Sequence, residues 1–288
     1  SLDRRQRQMC IRDRDDKILT DWNGLMIASM ARAGRVLNKQ NYIDTAKRSA
    51  EFVLNNLTYK GRLLKRFRSG KAGLQPHIDD YSFFVWGLIE LYEATFEVRF
   101  LKKAIELSNI MVEDFIDNDN GGFFIGPKGG EKLIVRAKDS YDGAIPSGNA
   151  VAALNFIRMS KFTGTSMWEE IAFNIFKTFS NKINQAPSAH TFMLIAYMFG
   201  TESPKEVVIV ANEKYPEIKS NILELQKSYN PHTVYLFKSM KEQSNLNQIA
   251  PWTETHIPVD DKLTFYVCEN FACKMPTVDV NTAKKYLK

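Results

Sequence analysis

Cysteine is scarce in this sequence of 288 residues, which holds only Cys10, Cys268 and Cys273. A small, odd number of cysteines excludes a disulfide framework and favours a reducing compartment, so we expect a cytoplasmic location. Cys268 and Cys273 have four residues between them. This spacing fits neither the redox C-x-x-C motif nor, without a second pair, a four-ligand zinc site. We therefore expect two reduced, partly buried thiols, with a redox role as the alternative.

Signals for metals, nucleotides and membranes are also lacking. The four histidines show no ligand spacing, and the DNDNG stretch at 117–121 lacks the final glutamate of a calcium loop. No P-loop, dinucleotide fingerprint or Gly-x-Ser-x-Gly elbow occurs. The longest apolar run, from Thr191 to Phe199, is about half of what a bilayer requires. The sequence thus predicts no metal, no cofactor and no membrane partner.

Excess positive charge is small and unevenly placed. The formal net charge is +6, and half of it lies in residues 1–14, which contain five arginines and two aspartates. A basic arm for nucleic acid and a targeting peptide are two interpretations of this segment. We favour a third, a non-native leader, because RQRQMCIRDR at 5–14 resembles translated sequencing-adapter runs. No nucleic-acid partner is predicted for the rest of the chain.

What the sequence does contain is a helix that recurs three times. The copies align on an aromatic residue that is followed four residues later by alanine: Tyr42/Ala46, Phe100/Ala104 and Trp168/Ala172. Further apolar positions recur eleven and fifteen residues past the aromatic, and all these steps fall on one face of a helix. Each copy therefore has one buried face.

More apolar helices precede each copy. They are predicted over Trp22–Leu37, Asp80–Thr95 and Ser147–Phe162, and a fourth over Ser188–Phe199. Their apolar character on most sides is typical of an inner layer that an outer layer covers.

Link lengths indicate the architecture. Links within a hairpin are short, and links between hairpins are long (58–79 and 118–146), with strand-like runs at 62–68 and at 121–126 paired with 132–138. Antiparallel helices would gather the long links at one end, where sites are commonly built. This layout predicts a mainly α fold, an (α/α) toroid over 15–203, and an α-solenoid is the alternative. Three and a half hairpins cannot close a ring of six, so we expect a partial toroid.

Beyond Pro204 the pattern changes to strands. Buried strands are predicted at 205–211, 233–238 and 264–270, with an amphipathic helix at 215–229 between the first two. Residues 204–288 are thus predicted to form a small α/β appendage.

Specific strings carry a family resemblance that covers residues 15–288. The chain resembles the C-terminal part of the thioredoxin-domain-containing proteins of the spermatogenesis-associated protein 20-like family. The strings are DDKILTDWNGLMIASMARAG (15–34), IDDYSFFVWGLIELYEATFE (78–97), DNDNGGFF (117–124), DGAIPSGNAVAALNFIRMSKFTG (142–164) and YVCENFACKMPT (266–277).

This resemblance implies a six-hairpin glycosidase-like toroid that follows an N-terminal thioredoxin-like domain in the same polypeptide. Relatives by fold include N-acylglucosamine 2-epimerases and unsaturated glucuronyl hydrolases, which is analogy at the level of fold. It implies a carbohydrate-binding or carbohydrate-processing role with a sugar-like small-molecule ligand. The alternative is a non-catalytic binding or scaffold module that works with the thioredoxin-like domain in redox maintenance.

Carboxylates gather where long links enter the inner helices, at Asp21, Asp79, Asp80, Asp139 and Asp142. Sugar chemistry at an oxocarbenium-like centre needs two carboxyl groups, one of them protonated, and epimerisation needs a positioned acid and base. We predict Asp80 and Asp142 as the catalytic pair, with Asp79 in the binding site. The alternative is that these aspartates are ordinary helix caps.

Further ligand contacts are expected at the same rim. The side chains predicted to stack on a sugar or to hydrogen-bond it are Trp22, Asn23, His77, Tyr81, Trp86, Arg136 and Asn149.

Overall fold

A computed structural model describes residues 15–130, 134–240 and 246–288, so the leader predicted for 1–14 lies outside the described residues. The first part of the chain is helical, and the helices predicted there are confirmed with ends that shift by a few residues. They are α1 (Thr20–Val36), α2 (Gln40–Asn56), α3 (Ile78–Thr95), α4 (Val98–Phe115), α5 (Gly148–Thr163), α6 (Ser166–Gln185) and α7 (Thr191–Thr201).

Helices α1, α3 and α5 form an inner row that α2, α4 and α6 cover. Both α3 and α5 bury nearly every residue, as helices covered on several sides must. The outer helix α4 instead buries one face, at Phe100, Ala104, Leu107, Met111 and Phe115. Within the described residues, no helix is both long and apolar enough to cross a bilayer.

Two glycines set the distance between α1 and α3. A Cβ at Gly24 would lie 2.5 Å from the backbone carbon of Phe83, and one at Gly87 would lie 2.9 Å from the Gly24 carbonyl oxygen. Only a residue without a side chain fits at either position. The two helix backbones therefore pack in direct contact.

Short strands occupy the first long link. The antiparallel strands β1 (Ile18–Leu19), β4 (Arg66–Arg68) and β5 (Lys71–Gly73) form one sheet, and β2 (Thr58–Tyr59) pairs with β3 (Arg62–Leu63). The strand character predicted at 62–68 is confirmed.

The pairing predicted between 121–126 and 132–138 is wrong where the structure describes it; residues 131–133 lie outside the description. Its backbone contact is one hydrogen bond, from the Ile125 N–H to the Ala137 carbonyl (2.9 Å). The physical reason is that the Asn149 side chain takes the place of a partner strand. Its oxygen accepts from the Phe123 N–H (2.8 Å) and its amide donates to the Phe123 carbonyl (3.0 Å).

A second sheet follows, and the strands and helix predicted for it are confirmed. Strands β6 (Lys205–Ala211), β7 (Thr233–Ser239), β8 (Thr264–Glu269) and β9 (Ala272–Cys273) lie in the order β7-β6-β8-β9. The helices of this part are α8 (Tyr215–Gln226), α9 (Leu246–Ile249) and α10 (Val280–Tyr286). Strands β6 and β7 are parallel, with α8 as their crossover, and β8 runs antiparallel to β6.

Four buried charged side chains join the inner helices. Arg35 of α1 donates to Glu93 of α3 (2.7 Å), and Arg158 of α5 donates to Glu90 of α3 (2.7 Å). A second pair of contacts crosses these, from Arg158 to Glu93 (3.2 Å) and from Arg35 to Glu90 (3.7 Å). Burial alone would raise the pKa of Glu90, but Arg158 and Arg35 outweigh it and the pKa is lowered. We call these four residues the buried quartet.

The buried quartet also reaches the second sheet. The other carboxylate oxygen of Glu93 accepts the Tyr235 N–H of β7 (3.3 Å), and the Glu93 carbonyl accepts from the Gln226 side chain (3.3 Å). One glutamate therefore contacts α1, α5 and the α/β part of the chain.

We predict that Glu93→Gln lowers the free energy of unfolding by about 3–5 kcal/mol, because it leaves two buried guanidinium groups with one carboxylate. Urea unfolding measures the change. Glu97→Gln is the matched control, since Glu97 is partly exposed in its ion pair with Lys47 and should cost less than about 1 kcal/mol. Equal losses in the two variants would contradict the role of the buried quartet.

Candidate functional site

The amino ends of α1, α3 and α5 meet at the face where the long links enter. The Asp21 N–H of α1 donates to the Asp80 carboxylate of α3 (3.2 Å). At the start of α5, a Cβ on Gly148 would lie 2.3 Å from the Asp79 carboxylate, so only glycine allows this approach. We call the group formed by the buried Asp21, the half-buried Asp79 and the exposed Asp139 the acidic rim.

Asp80 lies beneath the acidic rim and has no exposed surface. Its carboxylate accepts the His77 N–H (2.7 Å) and the Asp21 N–H, and the Lys65 ammonium lies 3.4 Å away. Burial raises the pKa of Asp80 to about 7; Lys65 opposes the shift and Asp21 adds to it. These bonds tie Asp80 to the backbone of α1 and of the α3 entry.

Asp79 is half-buried and reaches the surface. Burial raises its pKa to about 6, the Asp21 and Asp139 carboxylates add to the shift, and Lys65 and the Gly148 N–H oppose it. A carboxyl with this pKa can give or take a proton near neutral pH. Asp79 is therefore the acidic-rim residue best suited to proton transfer.

Lys65 supplies the nearest positive charge. Its ammonium lies 3.6 Å from the Asp21 carboxylate and 3.4 Å from that of Asp80, so one cation serves at least two acids. His77 is only partly covered at the α3 entry. The partial desolvation of its ring and the nearby Lys65 lower the pKa of His77, which disfavours a second cation here. The site thus keeps an excess of negative charge.

Of the predicted aromatic contacts, Trp22 has the most accessible ring. Its side chain is 61% exposed directly after Asp21. Asn23 is turned inward, because its amide donates to the Leu19 carbonyl (2.7 Å) and its oxygen accepts from Ser49 (3.1 Å). Trp86 lies deeper, with its indole N–H 3.3 Å from Glu90 and its ring against Phe192.

Two residues predicted to contact a ligand, Tyr81 and Asn149, instead hydrogen-bond the backbone of the long links. Tyr81 is fully buried and its hydroxyl accepts the Leu63 N–H (3.0 Å), so its ring cannot stack on a ligand. Asn149 is also fully buried, and its amide group is used by Phe123 and by the Asp139 carbonyl (2.8 Å). Both residues hold the links on which the acidic rim rests.

Asp142 and Arg136 lie on the same long link. The Asp142 carboxylate accepts the N–H groups of Ser147 (2.8 Å), Phe192 (2.8 Å) and Met193 (3.0 Å), and so caps α7. Arg136 donates to the Gly126 carbonyl (2.8 Å) and lies over the Phe124 ring. The structure brings Asp79 and Asp80 together with Asp21, whereas Asp142 faces the start of α7.

The DNDN loop is a closed turn. The Asp117 carboxylate accepts the N–H groups of Asp119 (3.0 Å) and Asn120 (3.1 Å), and Lys138 lies 2.7 Å away. The hydrogen bond from Lys138 lowers the pKa of Asp117. A lysine occupies the position that a cation would need.

One group of side chains in the described ranges has the spacing of metal ligands: His256, Cys268 and Cys273, whose ligand atoms lie within 4.8 Å of one another. Cys268 and Cys273 form a disulfide, so the prediction of two reduced thiols is wrong. The β8–β9 hairpin places the two residues directly opposite each other. Sequence spacing missed this pair because the turn, rather than a motif, brings it together.

Lys65 could not be predicted as a site residue from a motif, because none surrounds it in the link. It lies in the bend between β3 and β4, and the indirect signal in the sequence is a basic residue in the run at 62–68 ahead of an acidic helix start.

We predict that the free energy of unfolding of the wild type decreases as the pH rises from 4 to 7, when it is compared with that of the Asp79→Asn variant at the same pH. Between the ordinary pKa of 3.8 and the folded value of about 6, the folded state binds more protons than the unfolded state, so ionisation of Asp79 favours unfolding. The difference should grow by about 1–3 kcal/mol. Urea unfolding at several pH values measures it, with Asp119→Asn as an exposed control. A pH-independent difference would refute the assignment.

Comparisons with known proteins agree with this architecture. The chain is 32% identical over 284 residues to spermatogenesis-associated protein 20 of Homo sapiens and 31% identical to that of Rattus norvegicus. In both cases the match covers 95% of this chain and 36% of the relative. The chain thus spans about a third of the length of these curated relatives. No family model matches it.

Solved structures show the same fold at low sequence identity. A GH76 α-mannanase of Bacteroides thetaiotaomicron aligns with a TM-score of 0.54 and 17% identity, over 74% of this chain and 56% of that one. A family 76 glycoside hydrolase (mannosidase) from the same species aligns with a TM-score of 0.50 and 14% identity, over 96% and 72%. The predicted (α/α) toroid is therefore confirmed. The chain is a homologue of spermatogenesis-associated protein 20 over the part of that protein that it spans, and its helical part has the (α/α) toroid fold of the aligned structures.

Proposed function

We propose that the acidic rim binds a carbohydrate and that Asp79 exchanges a proton with it. The observation that carries this proposal is the half-buried Asp79 carboxyl, whose pKa of about 6 results from burial and from two neighbouring carboxylates. Beside them, the exposed Trp22 ring offers a flat apolar surface of the kind that packs against a sugar ring.

The chemistry of glycoside cleavage fits this arrangement. It needs one carboxyl that is protonated at working pH and a second that is ionised. Asp79 is suited to the first role, and Asp21 or Asp139 to the second. Proton transfer at a sugar carbon, as in epimerisation, would use Asp79 as acid or base. The fold supports the proposal by analogy, since the aligned solved structures are named as a mannanase and a mannosidase.

Asp80 and Asp142, the pair predicted from the sequence, are positioning residues in this proposal. Asp80 fixes the backbone of His77 and Asp21 under the acidic rim, and Asp142 fixes the start of α7. Substitution of either should change stability as well as any activity, because their carboxylates are bonded to backbone N–H groups.

We predict that α-linked manno-oligosaccharides raise the melting temperature of the wild type and that Trp22→Ala weakens their binding about tenfold, a loss of about 1.4 kcal/mol. Asp79→Asn should lower any turnover by about 10²–10⁴-fold. Scanning calorimetry measures the melting temperature, titration calorimetry measures the binding, and a reducing-end assay measures the turnover. Asp119→Asn is the control, and cellobiose and unsaturated glucuronides are further probes. No shift with any saccharide, or full turnover by Asp79→Asn, would overturn the proposal.

The remaining elements of the proposal concern the whole protein. We infer that it works in the cytoplasm and that a thioredoxin-like domain precedes the toroid, as the resemblance implies. The much greater length of the relatives leaves room for such a domain. Translation of the reading frame upstream of Asp15 tests this directly, and a different fold there would refute it.

A further inference from the structure

The Cys268–Cys273 disulfide lies at the end of a tight hairpin. Strands β8 and β9 are joined by Asn270 and Phe271, which both adopt the left-handed backbone region (φ 50° and 64°) that a two-residue turn of this kind requires. The Phe271 N–H is held by the Glu206 carboxylate (3.2 Å), and the Phe271 ring packs on Trp252. The turn is thus fixed from both sides, and it keeps the two sulfurs adjacent.

The two sulfurs differ in accessibility. Cys268 is 1% exposed and lies on the inner strand β8, whereas Cys273 is exposed on the edge strand β9. A thiolate from solution can therefore reach the sulfur of Cys273 and not that of Cys268. Exposed disulfides are the ones that exchange most readily with thiols.

A buried histidine contacts the accessible sulfur. The His256 Nε2 atom lies 3.3 Å from the Cys273 Sγ, while its Nδ1 atom is buried and has no hydrogen-bond partner. Burial and the nearby Lys238 ammonium lower the pKa of His256, so the ring is neutral at pH 7 and can accept a thiol proton.

Lys238 holds this histidine in place. Its ammonium donates to the carbonyls of Thr253 (2.9 Å), Glu254 (2.9 Å) and His256 itself (3.0 Å). The Tyr266 ring packs against the imidazole at 4.4 Å between ring centres. A lysine used in this way fixes the backbone that carries the histidine.

A surface pocket of about 540 Å³ opens over the same atoms. His256 and Cys273 line it together with Trp252, Tyr266, Met275 and Pro276. The walls combine aromatic and apolar side chains with the polar Thr255 and Lys274, which suits a peptide or a small dithiol whose thiol lies among mixed groups.

From this geometry we propose that Cys268, Cys273 and His256 form a thiol–disulfide exchange site whose substrates are dithiols. A substrate thiolate attacks the Cys273 sulfur, a bond forms between the two sulfurs, and the Cys268–Cys273 bond breaks with its electron pair on Cys268. The second substrate thiol, which gives its proton to His256, then attacks the sulfur bound to Cys273. The substrate leaves as a disulfide, Cys273 takes the proton from His256, and Cys268 takes from water the proton that the first substrate thiol had released there.

Trapping tests the assigned order of attack. In a Cys10→Ser chain, Cys268→Ser should leave Cys273 free to form a mixed disulfide with oxidised glutathione, detected as a mass increase. The matched Cys273→Ser variant should leave Cys268 unmodified until the protein is unfolded in urea. Equal modification of the two variants, or none of either, would overturn the proposal.

Reduction kinetics test the histidine. In the Cys10→Ser chain, dithiothreitol at pH 7 should reduce the disulfide without denaturant. His256→Gln should slow this reduction by about 10²-fold, the low end for general acid–base assistance. His232→Gln is the matched control, since His232 is half-buried in the same sheet region and contacts Glu202. Melting curves of both variants establish folding. Reduction only in urea, or equal rates in folded wild type and His256→Gln, would overturn the proposal.

Discussion

Pairing of buried charges is the constraint on which the rest of this structure depends. Two arginines and two glutamates lie among α1, α3 and α5 with almost no exposure, and each charge faces two of opposite sign. Buried ions of this kind are costly unless every partner is present, so the three helices can pack in only one register. Because Glu93 also accepts the Tyr235 N–H, the same constraint fixes the second sheet against the toroid.

Helix α3 carries this constraint to the candidate site. The carboxyl-terminal half of α3 contains Glu90 and Glu93, whose charges are balanced by the two arginines of the buried quartet. Its amino end contains Asp79 and Asp80. At the usual helical rise, Asp80 lies about 15 Å from Glu90 along the helix. The two ends differ in charge balance. At the amino end burial raises the pKa of Asp79 and of Asp80, and Lys65, which is shared between Asp21 and Asp80, does not offset this effect. A rigid helix thus holds an unbalanced acidic cluster just below the surface.

Much of the fold could be predicted from the sequence, and the reasons are physical. Helical periodicity is a local property, so α1 to α7 and strand β6 follow from apolar spacing. The side-chain partners of the site are non-local. Nothing near Asn149 indicates that its amide replaces a strand at Phe123, and nothing near Asp142 indicates that it caps α7 rather than facing Asp80. The disulfide likewise depends on the turn at Asn270 and Phe271. Both residues adopt a left-handed backbone, which cannot be predicted from a phenylalanine at the second position.

The acidic rim should hold a carboxyl, that of Asp79, which changes protonation close to neutral pH. The most direct measurement is a carbon-13 NMR titration of the aspartate side-chain carboxyls, with the Asp79 signal assigned by its loss in Asp79→Asn. The account predicts a midpoint of about 6 for Asp79. A midpoint near the ordinary 3.8 would contradict it, because the neighbouring carboxylates and burial would then have no effect on this group.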